Sequence, residues 1–202
     1  MKKNMFSGSG NSAAAVFTAV FALFFAVSAA GAAEAGDVTL PDEIRVEGEK
    51  LILNGAGIRE KFFVDIYAAG LYLRQPEKDH EKIMAADETM ALKIRILSGM
   101  IDSEKFTEAA LEGFDEATDG NTGPIQDEID LFLSAFAEEI EKGDEFDIHY
   151  VSGEGTKVYK NQEDDPEVVV RGMPVKQALF GIWVSNRSER NLQKLREKLL
   201  DL

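Results

Sequence analysis

"NGAGIREKFFVDIYAAGLYLR" occupies residues 54–74 and sets three glycines, an early arginine and four aromatic residues inside an otherwise apolar, strand-like run. Gly55 and Gly57 read as turn positions, because glycine weakens a strand interior and tolerates backbone conformations that other residues avoid. Lys61–Arg74 then reads as one long strand. Its two alternating sets are both apolar, Phe62, Val64 and Ile66 on one and Phe63, Tyr67 and Leu71 on the other, which predicts a central strand covered on both sides despite Asp65. Arg59 stands at the expected turn. A guanidinium among apolar neighbours needs a partner, so the stretch is organised around more than packing. "GAG" is no dinucleotide fingerprint, since no G-x-G-x-x-G opens a helix here.

The rest of the chain supplies what such a strand would pair with. "IRV" and "LILN" flank a Glu47-Gly48-Glu49 turn, and Thr89–Leu97 alternates cleanly, with Leu92, Ile94 and Ile96 opposite Lys93 and Arg95. Asp102 and Ser103 can cap a helix whose face carries Phe106, Ala110 and Phe114. A second helix is predicted over Pro124–Lys142, with Ile125, Ile129, Phe132, Leu133 and Phe136 on one stripe and Gly143 at its end. Three short strands follow at Glu145–Val151, Thr156–Lys160 and Glu167–Gly172, then a helix beginning at Pro174, a break over Ser185–Ser188 and a last amphipathic helix. This order predicts an α+β fold, a mostly antiparallel sheet with helices packed on one face.

The first 35 residues read as a signal peptide. Lys2 and Lys3 precede the uncharged run Ala13–Ala26, and Ala30-Gly31-Ala32 and Ala33-Glu34-Ala35 are candidate cleavage triplets, placing the cut within about 29–35. The apolar run is shorter than the roughly 20 residues a membrane span needs, and no later segment approaches that length. The expected mature domain is therefore residues 36–202, exported across an inner membrane and periplasmic, with no transmembrane segment after cleavage. With no cysteine it must be stabilised by its core. The formal charge of −15 becomes −17 without the two lysines, or −16 if Glu34 also leaves. Nucleic acid is a poor partner for such a surface.

"LNGAGIREKFFVDIYAAGLYL" together with "VVVRGMPVKQALFGIWV" resembles the chalcone isomerase-like superfamily, specifically its exported bacterial branch. The likeness covers about Leu40 to Leu200 and implies that family's open-faced sandwich. In the family's enzymes an arginine near the glycines contacts the substrate oxyanion, and Arg59 matches it. Tyr67 falls near the position of a threonine that places catalytic water in the plant enzymes, and Gly181 or a neighbour replaces a polar threonine on the late helix. The plant catalytic tyrosine has no counterpart in "LSGMIDSEKF", so no catalytic residue is assigned.

The resemblance thus favours a non-catalytic binder of a fatty acid or another lipophilic carboxylate. Arg59 would be its anchor, because a guanidinium matches a carboxylate in two parallel hydrogen bonds. Arg59, Tyr67, Tyr72 and Gly181 are the expected ligand-binding residues. One alternative is an intramolecular lyase or isomerase of chalcone-isomerase type on a phenolic or enone substrate, with Tyr67 or Tyr72 as proton donor; another is a scaffold whose cleft its own side chains fill. No cofactor and no metal site are expected, because His80 and His149 stand apart and the acidic runs lack the spacing of a calcium loop. Trp183 reads as core.

Overall fold

The computed structural model describes residues 32–187 and 190–202. The expected signal peptide lies outside the described residues except for its last four, Ala32–Ala35, which form a strand, β1, paired with β2 (Val38–Pro41). The other strands are β3 (Glu43–Val46), β4 (Glu49–Lys61), β5 (Val64–Leu73), β6 (Met90–Ile96), β7 (Glu145–Val151), β8 (Gly155–Lys160) and β9 (Val168–Val170). They form one seven-stranded antiparallel sheet in sequence order, from β3 to β9. Helices α1 (His80–Ala85), α2 (Ser103–Ala117), α3 (Gln126–Ser134), α4 (Met173–Val184) and α5 (Arg190–Leu199) complete the fold.

The expected long strand is central, since β5 lies between β4 and β6, but its start is corrected. The chain turns at Phe62 and Phe63, not at Gly55 and Gly57. Lys61 pairs with Val64, so the hairpin loop is two residues long, and both sit at positive φ, 51° and 65°. That is the backbone of a type I′ turn, for which Asn-Gly is the usual sequence. Gly55 and Gly57 lie inside β4, opposite Leu71 and Ala69. Asn54 and Ile66 are extra residues where the β4–β5 register shifts. Such bulges bend a strand and re-aim its side chains.

The two glycines have a tertiary reason. A Cβ on Gly55 would fall on the carbonyl oxygens of Lys198 and Leu199, the latter 2.7 Å away, and one on Gly57 would lie 2.8 Å from the Lys198 Cβ. Helix α5 therefore rests directly on the β4 backbone. Asn54 fastens the contact by donating to the Leu199 carbonyl at 2.8 Å and the Glu77 carbonyl at 3.0 Å. Next along that strand face comes Arg59.

Asp102 caps α2 as expected, accepting from the Lys105 amide at 2.9 Å. The second predicted helix is shorter than its apolar stripe: α3 stops at Ser134, although Phe136 and Ile140 remain buried. Phe136 is held by stacking on Phe106, with ring centroids 4.4 Å apart, and by Phe146 of β7 at 4.8 Å. An i,i+4 spacing thus continued past the helix end. Among the described residues the helices share one apolar core with the inward side of the sheet, while β1 and β2 cover part of the other side through Ala35 and Leu40 against Ala68.

Lys176 of α4 is wholly buried. Its ammonium donates to the Ile83, Met84 and Ala86 carbonyls at 2.9, 2.9 and 2.7 Å, closing the C-terminal end of α1. Burial lowers its pKa to about 8.

Candidate functional site

Two neighbouring strands place Arg59 and Tyr67 side by side. They are direct cross-strand partners on the helix-covered face, and the guanidinium carbon lies 5.8 Å from the centre of the Tyr67 ring. Both are buried, Arg59 at 6% exposure. An arginine is rarely so buried unless its charge is satisfied within the fold. The Tyr67 hydroxyl accepts a hydrogen bond from the Trp183 indole at 3.0 Å, which ties the late helix α4 to the strand.

Above this pair α2 brings a strip of small residues. Ala109, Ala110 and Gly113 close over Arg59 and Tyr67, and a Cβ on Gly113 would come 2.7 Å from the Ile182 side chain, so α2 and α4 meet with little between them. Glu116 lines the same space. What remains open there is about 20 Å³. On the other side of Arg59 and Ala109 a groove of about 250 Å³ reaches the surface, lined by Lys61, Phe62, Ile66, Met100, Ile101 and Lys105. Arg59 thus lines both an apolar groove and a nearly filled cavity.

The other two expected ligand residues are elsewhere. Tyr72 lies five residues beyond Tyr67 on the same strand, and an odd separation in a regular strand reverses the face. It packs with Val46, Leu51, Ala91 and Val151 and donates to the Pro41 carbonyl at 3.0 Å; burial raises the pKa of its phenol. Gly181 faces Ala117 and Met84, 3.1 and 3.2 Å from where a Cβ would stand, and so serves the packing of α4 against α2 and α1. In their stead the structure brings Glu116 and Trp183 to Arg59 and Tyr67. Trp183 was expected in the core, and it is both core and cavity wall.

A larger groove of about 510 Å³ lies on the opposite side of the sheet, between β2 and β6. There Lys93 is paired with Asp147 at 2.5 Å and Arg95 with Glu145, and both pairs lie at the groove's edge rather than inside an apolar space. Among the described residues no cluster of His, Asp and Glu is placed to hold a metal ion, and no helix is long and apolar enough to cross a membrane.

A family model described as chalcone isomerase-like matches residues 32–201. The chain belongs to that family. No curated protein matches it by sequence. Among solved structures it is similar to the Arabidopsis thaliana fatty-acid binding protein AtFAP1, with a TM-score of 0.65 and 16% identity over 85% of this chain and 96% of that one. At that identity the likeness concerns the chalcone isomerase-like fold. Within that fold Arg59 lies on β4, opposite Tyr67 of β5.

Proposed function

We propose that this protein is a non-catalytic, exported carrier of a fatty acid or another lipophilic carboxylate, belonging to a bacterial branch of the family and acting in the periplasm. The observation that carries the reading is the burial of Arg59 where an apolar groove meets the cavity under α2. The carboxylate would be held by the guanidinium and the chain would lie along the groove and beneath α2. Similarity to a fatty-acid binding protein supports the ligand class. Glu116 lines the same cavity and would have to yield to an incoming carboxylate.

Titration with a fluorescent long-chain fatty acid at fixed salt tests the anchor. Arg59→Met keeps most of the stem volume and removes the charge, and its affinity is expected to fall by about 1.5–3 kcal/mol. Equal affinity in the two proteins would remove Arg59 from the site.

The 20 Å³ of open space favours a second reading, a scaffold whose cleft is filled by Phe106, Ile182, Trp183 and Leu192. No saturable binding in either protein, with no acyl chain released from gently purified material into a mass spectrometer, would favour it. The third reading, a lyase or isomerase, draws on the Tyr67 phenol beside Arg59 as a proton donor, and ring closure on incubation with a chalcone would establish it.

A further inference from the structure

The β4–β5 hairpin ends in two phenylalanines that none of the described residues covers. Phe62 is 80% exposed and Phe63 fully so, and Met100, half exposed, shares the groove wall with Phe62. Both aromatics occupy the positive-φ positions of a type I′ turn, where asparagine and glycine are favoured and a bulky side chain is strained. Folding alone would select against this pair twice, once for conformation and once for exposed apolar surface. From this hairpin tip we infer that the protein docks on a lipid bilayer, inserting Phe62 and Phe63 between headgroups so that the groove leading to Arg59 opens at the membrane. The inference rests on the carrier reading for its purpose, though not for its test.

Size and charge decide the occupant. Two aromatic side chains of about 150–250 Å² each, with part of Met100, make a convex patch of roughly 500 Å². A stable protein interface takes about 800 Å² from each partner and uses a surface that can be matched, which a two-residue projection is not. A bilayer interface accepts a few projecting apolar side chains without shape complementarity. The protein as a whole is strongly acidic, but the tip is close to neutral: Glu60 is paired with Lys194 at 3.3 Å, Asp102 with Lys105, and exposed Asp65 is offset by exposed Lys61. The tip is therefore suited to approach a zwitterionic surface by insertion.

Flotation of the ligand-free protein with phosphatidylcholine vesicles in a density gradient tests the inference. Wild type is expected to float with the vesicles, and Phe62→Asn with Phe63→Gly, the favoured turn pair, to remain at the bottom with at least a tenfold lower partition while melting no lower than wild type. Arg59→Met, which leaves the tip intact, should float like wild type even if fatty-acid binding is lost, so failure of the anchor and failure of docking are read separately. Wild type staying at the bottom, or the Asn-Gly variant floating equally well, overturns docking. A wild-type dimer in sedimentation that the Asn-Gly pair dissolves makes a second copy the occupant and overturns it too.

Discussion

Two-residue turns bracket β4, and the same backbone problem is met at each with different residues. At Glu47-Gly48 the φ values are 47° and 82°, a glycine takes the more demanding position, the Gly48 carbonyl accepts from Arg45 at 3.1 Å and Glu47 pairs with Lys157 at 2.7 Å. At Phe62-Phe63 both positions carry bulky aromatics with their rings in solvent. The first turn is explained by the fold that it closes. The second combines positive φ with exposed apolar rings, neither of which closing the hairpin requires, and such local conflict is characteristic of surfaces kept for a function.

If β4 is built for packing along its middle and for contact at its tip, substitutions should change stability in opposite directions along it. The largest loss is expected at Gly55→Ala, because the added methyl meets the Lys198 and Leu199 carbonyls, which are backbone and cannot rotate aside; α5 must lift, at about 3 kcal/mol, read as a lower urea midpoint. A midpoint equal to wild type would show that α5 does not rest on β4. Gly48→Phe brings the strain of the second turn to the first and should cost about 1–2 kcal/mol in the same assay. The smallest change is a gain. Phe63→Gly should stabilise by roughly 1 kcal/mol through relief at positive φ, and a loss there would mean that the exposed ring supports the fold after all.

The contrast also explains what could be read from sequence. Glu47-Gly48 was legible because glycine next to alternating strands is a local turn signal, as was the α2 start at Asp102, where a capping side chain precedes Phe106, Ala110 and Phe114 at helical spacing. The central place of β5 followed from apolar residues on both its faces. Phe62-Phe63 carries no turn signal, and the glycines at 55 and 57 mimic one, although their actual reason is a helix more than 130 residues later in the chain. Helix α1 was hidden in the charged "EKDHEK", too short for a periodicity, although Asp79 caps it. Within the site, Arg59 is legible as a charge in an apolar run, and Tyr67 only through the resemblance of its strand to the family's. Glu116 and Trp183 were not identifiable as its neighbours, because they reach the cavity from helices whose packing no local pattern encodes. Tyr72 was misplaced for a simpler reason, its odd distance from Tyr67.

The narrowness of the space under α2 has a kinetic meaning. A long acyl chain does not fit in 20 Å³, so in a carrier the form that binds is one in which α2 has moved off α4. If opening is slower than capture, the observed association rate will rise with fatty-acid concentration only until it reaches the opening rate, and then level off. Affinity will likewise be reduced by the fraction of molecules that are open. Gly113, where α2 lies nearly against Ile182, then becomes a timing element as well as a packing one: a larger side chain there would hold the helices apart, raise the open fraction and speed uptake.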